Sequence, residues 1–144
     1  MARVEKSVLV AHSAGAMFDL VDAVEHYPQF LPWCGGSEVL SRSEDETTAR
    51  IDIRYAGVSQ SFTTRNTKRR PSSMQLVLVD GPFERLTGAW TFQALSADAC
   101  KVQFSLDYAF GNSVVEAVLG PVMSMIAETF VDRFVQRADR LATA

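Results

Sequence analysis

The sequence predicts an α+β fold, and three observations predict it. A strand and a short amphipathic helix open the chain. Runs with a period of two then fill residues 37–110, broken only by short turns, and from Ser113 the apolar residues return to helical spacing. At 144 residues the chain is expected to form one domain, with a core that needs neither disulfides nor a structural metal.

Residues 3–11, with Val4, Val8, Leu9 and Val10, read as a strand, and Ser13 is a good helix N-cap. Met17, Phe18, Leu20, Val21 and Val24 share one face of the helix that follows, with Asp19, Asp22 and Glu25 opposite, and Pro28 ends it. Residues 27–36, YPQFLPWCGG, fit neither period. Prolines and glycines punctuate large apolar side chains there, which makes a stiff apolar loop or a short helical turn. Beyond it Ala49, Ile51, Ile53 and Tyr55 alternate with Arg50, Asp52 and Arg54, as in a strand with one wet face. Residues 62–67, 74–79, 86–95 and 102–110 repeat the theme. The breaks at Ala56-Gly57, Arg70-Pro71-Ser72, Asp80-Gly81-Pro82 and Ser96-Ala97-Asp98 are hairpin-sized, so about six or seven strands form an antiparallel sheet. Residues 113–141 form one long amphipathic helix capped by Ser113, with Glu116 in its first turn and Arg133, Arg137 and Arg140 towards its C-terminal end. Gly120-Pro121 predicts a kink or break, because proline removes the backbone bond to residue 117.

Composition excludes several classes. A hydrophobic share of 47% with 22% charged residues argues against a disordered chain. Fourteen basic against seventeen acidic residues give a net charge of −3, so any contact with RNA or an anionic lipid must be a local patch, and no DNA partner is indicated. Cys34 and Cys100 fit reduced thiols better than a disulfide scaffold. Glu5 and Lys6 interrupt the first apolar run, which argues against an export signal, and nowhere do about 18 apolar residues follow one another. The expected location is the cytoplasm.

The stretch VLVAHSAGAM, residues 8–17, imitates a nucleophile elbow. That architecture needs strands before the serine and an acid and a histidine well after it, whereas the last histidine is His26, so Ser13 is read as a helix cap and not as a catalyst. His12 and His26 lack ligands at metal spacing, Cys34 and Cys100 form no C-x-x-C, and the eight glycines form no phosphate loop. No catalytic residue, metal or cofactor is assigned. Glu44 and Glu46 sit in a polar tract that reads as a solvated hairpin.

Two features remain. Arg65, Lys68, Arg69 and Arg70 form a basic cluster near a turn, a candidate RNA contact beside the reading as a solvated tip. The loop residues Tyr27, Phe30, Leu31, Pro32 and Trp33 must plug the interior or form an apolar contact surface. Facing them are Trp90, Phe92, Phe104 and Tyr108 from the sheet, and Val118, Val122, Met125, Ile126 and Phe130 from the last helix. If sheet and helix do not close fully, these residues, together with Tyr55, line a ligand cavity.

The element order resembles the START-like helix-grip fold, a curved antiparallel sheet wrapped round a long C-terminal helix. The stretch from Phe18 through DAVEHYPQFLPWC resembles the coenzyme Q-binding family and its bacterial branch of ribosome-association toxins and polyketide cyclase-like proteins. Gly88-Ala89-Trp90 with Phe92, and Phe130 with Arg133, support the likeness, which covers nearly the whole chain. The resemblance implies non-enzymatic binding of ubiquinone or another polyisoprenoid lipid in support of respiration, with transient contact at the inner membrane surface. For the toxin branch it implies binding to the large ribosomal subunit. A cyclase would need acid–base groups in the cavity, for which Tyr55, Tyr108 and His12 are the neutral candidates.

Overall fold

The computed structural model describes residues 2–142. Its elements are β1 (Ala2–Val10), α1 (Ala14–Asp22), a 3₁₀ helix (Val24–Gln29), β2 (Cys34–Arg42), β3 (Glu46–Tyr55), β4 (Val58–Arg69), β5 (Ser73–Asp80), β6 (Phe83–Ser96), β7 (Ala99–Phe110) and α2 (Ser113–Ala142). The seven strands form one curved antiparallel sheet in the order β1-β7-β6-β5-β4-β3-β2. From β2 to β7 each strand pairs with the next in sequence through a short turn. Only β1 crosses over, pairing with β7 from Ala2↔Tyr108 to Val10↔Cys100. The β1–β2 connection must therefore travel from one sheet edge to the other, and α1 with the 3₁₀ helix makes that crossing. The predicted α+β class and helix-grip fold, a curved antiparallel sheet with a long C-terminal helix, are what the chain adopts.

Local chemistry accounts for the joints. Ser13 caps α1, its Oγ accepting from the Ala16 N–H at 3.1 Å. Between β3 and β4, Ala56 and Gly57 take φ values of 51° and 81°, the left-handed pair that a two-residue hairpin turn with the twist of its strands requires. The 27–36 segment divides, its first part in the 3₁₀ helix and its last part in β2, which starts at Cys34 and not at Ser37.

The structure corrects the expected cap of α2 and, of the expected kink or break, removes the break. Its cap is Asn112, whose Oδ1 accepts from the Val115 N–H at 2.9 Å and whose carbonyl accepts from Glu116, so Ser113 is the first helical residue. No break occurs at Gly120-Pro121, where the helix continues without interruption. Pro121 sacrifices one hydrogen bond, while its neighbours Leu119, Val122 and Met123 are buried on the sheet and hold the turn in place. By length and composition α2 could cross a bilayer, with a window of mean hydropathy 1.6, yet one face of it completes the protein's own core.

That core is aromatic at its centre. The Trp90 ring lies 4.6 Å from Phe104, 5.7 Å from Phe130 and 5.3 Å from Phe134, joining β6 and β7 to α2.

Candidate binding cavity and its surroundings

Between the sheet and α2 the packing leaves a cavity of ≈ 60 Å³. Its walls come from α1 and the 3₁₀ helix (Val21, Val24, Tyr27), the loop before β2 (Trp33), the inner faces of β3 to β7, and α2 (Met123, Ile126, Ala127, Phe130). Nearly all of this surface is apolar. The polar exceptions are Thr64 and Asn66 on β4, with the Thr64 hydroxyl donating to Asn66 Oδ1 at 2.9 Å. Trp33, also in the wall, carries a buried indole N–H. That N–H is buried and has no hydrogen-bond partner, a state that costs about 1–3 kcal/mol. Tyr27, also in the wall, spends its hydroxyl on the Val21 carbonyl at 2.5 Å, and burial pushes its phenol well above the ordinary range.

Of the candidate ligand-binding residues, Tyr27, Trp33, Trp90, Phe104, Ile126 and Phe130 line this cavity. Phe92, Tyr108 and Val122 are buried in the core outside its lining, and Met125 is half-buried on the flank of α2. Phe30, Leu31 and Pro32 border a second depression on the outside of the same loop. Two residues are misplaced by the sequence reading. Val118 is 59% exposed, because the buried face of α2 runs through Leu119, Val122, Met123 and Ile126 and leaves Val118 on the solvent side. Tyr55 is 44% exposed, because it continues the inward alternation of β3 past the last covered residue and into the turn.

The cyclase candidates do not meet. None of Tyr55, Tyr108 and His12 lines the cavity. His12 Nε2 lies 2.7 Å from Asp139 near the end of α2, and burial raises the Tyr108 phenol.

The basic cluster is largely neutralised from within. Lys68 is buried, and its Nζ lies 3.2 Å from Asp22. Arg70 forms two 2.8 Å bonds to Asp19, and Arg65 approaches Glu46 at 3.7 Å. Lys68 therefore cannot reach a nucleic acid, a correction to its assignment. The Lys68 and Arg70 pairs, together with Arg42–Glu25 at 2.7 Å, engage Asp19, Asp22 and Glu25, the acidic residues opposite the apolar face of α1 and the 3₁₀ helix. The guanidiniums of Arg70 and Arg42 hold the Asp19 and Glu25 carboxyls below their ordinary values, chiefly through hydrogen bonds.

Of the lining residues that the sequence reading did not assign to a cavity, most are apolar core positions, and the polar ones are Thr64 and Asn66. Their signal was the two-residue phase they share with Phe62, which puts all three on the inner face of β4.

A seven-stranded sheet gripping a long C-terminal helix around an apolar interior defines a START-like fold. The chain belongs to the polyketide cyclase/dehydrase and lipid transport family, whose model matches residues 10–135. It is similar to the persistence and stress-resistance toxin PasT of Escherichia coli O6:H1, at 42% identity over all of this chain and 91% of that one. Similarity to the ribosome association toxin RatA of Escherichia coli K12 is 41% over the same shares. A more distant relative is the mitochondrial coenzyme Q-binding protein COQ10 homolog B of Xenopus laevis, at 25% identity over 94% of this chain and 57% of that one. Among solved structures, a START superfamily protein from Mycobacterium smegmatis superposes with a TM-score of 0.80 at 23% identity, over 96% of this chain and 98% of the other. The Zhui aromatase/cyclase from Streptomyces sp. R1128 gives 0.78 at 18%, over 96% and 94%. At such identities these two establish the fold alone.

Proposed function

We propose that this protein is a non-enzymatic binder of a hydrophobic, quinone-like lipid, held between the sheet and α2 in support of respiration. The observation that carries the reading is the cavity wall, apolar on nearly every side, to which Trp33 contributes a side chain whose indole N–H is buried and unpartnered. A quinone carbonyl is an acceptor of the kind that would satisfy it. Burial of the isoprenoid tail supplies about 25 cal/mol per Å² and needs no charged anchor. At ≈ 60 Å³ the cavity is smaller than a benzenoid ring requires, so binding must displace side chains, with the unbranched Met123 and the cavity-facing Phe130 as the residues to yield. Mass spectrometry of an organic extract from gently purified protein tests the reading. One isoprenoid quinone per chain supports it, and a folded, lipid-free protein that also refuses added quinone refutes it.

A second reading is association with the ribosome, at its large subunit, and the relative of 41% identity that is named a ribosome association toxin favours ribosome contact. The two are compatible, since a lipid would occupy the inside and a ribosome would touch the outside. Co-sedimentation with purified large subunits across a salt series tests it, and no association at low salt refutes it.

A further inference from the structure

We infer that the groove between residues 28–34 and the last third of α2 is a phosphate-binding site for an RNA backbone. The ribosome-association reading supplies the identity of the partner; the site itself stands on its own geometry. The groove has a volume of ≈ 330 Å³. One wall is the outer side of the apolar loop, with Gln29, Phe30 and Pro32. The other is α2, which contributes Arg133, Arg137 and Arg140, spaced four and three residues apart and hence on one helix face. No carboxylate is among its described lining residues.

Several arginines elsewhere on the surface are paired. Arg3, Arg42, Arg50, Arg65, Lys68 and Arg70 each have a carboxylate partner within 4 Å. Arg133 has no hydrogen bond or ion pair with the described residues, and Arg137 has only neutral company. The Arg137 Nη2 donates to Gln29 Oε1 at 2.7 Å, and its guanidinium lies 5.3 Å from the centroid of Phe30. That fixes the plane of the fork, and its Nε is buried with no partner. A guanidinium so held has already lost its rotamer freedom and sits beside a half-buried arginine. The ligand such a site recognises is a multi-oxygen anion, and in a concave site of one sign the field is focused.

The shape favours a nucleic-acid phosphate over a bilayer. Tyr27, Leu31 and Trp33 turn inwards and are no more than 4% exposed, while the outward residues of the loop are Pro28, Gln29 and Pro32. No aromatic wedge projects into a membrane from this loop, contrary to the membrane contact that the family resemblance implies for it. The groove also replaces the 65–70 cluster as the RNA-facing surface.

The test uses a fluorescent 12-nucleotide single-stranded RNA, titrated by anisotropy at several KCl concentrations. The variants are Arg133→Gln, Arg133→Gln/Arg137→Gln and, as control, Arg65→Gln/Arg69→Gln. Flotation with vesicles of 70% phosphatidylcholine and 30% phosphatidylglycerol runs alongside. The groove double variant is expected to flatten the slope of log K against log[salt] by about 1–1.5, two phosphate contacts at roughly 0.7 each, with the control near wild type. Arg133→Gln, a residue without described partners, should remove about half of this and keeps the proposal testable if Arg137→Gln disturbs the loop. Equal slopes in wild type and groove variants, loss in the control instead, or binding to vesicles but not RNA would each overturn the proposal. RNA binding lost in the groove variants while wild type ignores purified ribosomal subunits would uphold the site and sink the ribosomal reading separately.

Discussion

Replacing Trp33 by phenylalanine separates the two roles that the structure gives this residue. The indole is 2% exposed and packs 6.2 Å from the Phe130 ring, so it is part of the core as well as of the cavity wall. Truncation to alanine removes the whole side chain and should cost about 3–5 kcal/mol, enough to threaten the fold. Phenylalanine is a gentler perturbation. It removes three heavy atoms, a loss of about 2 kcal/mol in burial and packing. It also removes a buried donor without a partner, which returns about 1–3 kcal/mol. The two effects oppose each other, so Trp33→Phe should stay within about 1 kcal/mol of wild type, or about 2–4 °C in Tm for a chain of this size. With a bound quinone the balance changes, because the wild-type N–H then has an acceptor. Trp33→Phe should weaken binding of a short-chain quinone by about 2- to 10-fold, the worth of one neutral hydrogen bond, and leave binding of a hydrocarbon with the same tail unchanged. Thermal denaturation and a fluorescence titration with both ligands read these quantities. A Trp33→Phe protein as unstable as Trp33→Ala, or one that loses both ligands equally, would refute the reasoning.

Three further outcomes are expected. Asn112→Ala should cost about 1 kcal/mol in urea denaturation and Ser113→Ala less than about 0.5, which distinguishes the observed cap from the one the sequence suggests. Lys68→Ala should cost about 2–4 kcal/mol, because it deletes a buried stem and strands the partly buried Asp22; in an Asp22→Asn background the cost should fall measurably, and strict additivity in that double-mutant cycle would dismiss the pair. Asp19, Glu25 and Asp52 all titrate below their ordinary values in the folded protein, Asp19 and Glu25 mainly through hydrogen bonds from arginine and Asp52 first through Ser61. A depressed folded value means that the stabilisation is complete above the unfolded value of about 4 and disappears as pH falls through the folded one. The urea midpoint should therefore be level from pH 7 to about 5 and drop below 4, with a shallower drop in Arg70→Gln.

Where the pattern of one segment determines its environment, the sequence was legible. In β3, Ala49, Ile51 and Ile53 are buried while Arg50, Asp52 and Arg54 face outwards or sideways, as alternation requires. The cavity side chains Trp90, Phe104, Ile126 and Phe130 followed from the same reasoning about phase. What escaped depends on contacts between segments far apart in the chain. Asp22 reads as a residue on the polar side of a helix and Lys68 as part of a basic cluster near a turn, and only the crossing of α1 from β1 to β2 brings them together. Thr64 and Asn66 are polar residues on an inward face, so hydrophobic periodicity passes over them although their phase is regular. Val118 is a matter of helical rotation: neighbouring Val118 and Leu119 both suit a core, and only the sheet decides which turns inwards.

Cavity and groove share a wall, and that predicts their coupling. Trp33 and Phe130 line the cavity; Phe130 lies 5.0 Å from Phe134, Phe134 lies 5.1 Å from Phe30, and Arg137 sits over Phe30 on the groove side. A ligand larger than ≈ 60 Å³ must move cavity side chains, and Phe130 cannot shift far in a close-packed cluster without pressing on Phe134 and Phe30. The plane of the Arg137 fork would then change, and with it the affinity for phosphate. Linkage requires the same factor in both directions, so a quinone that alters RNA binding must have its own affinity altered equally by RNA. Titrating RNA with and without saturating short-chain quinone measures that factor. A twofold or larger change that disappears in Phe30→Leu would establish the ring contacts as the route, and identical curves with quinone demonstrably bound would show that interior and groove act independently.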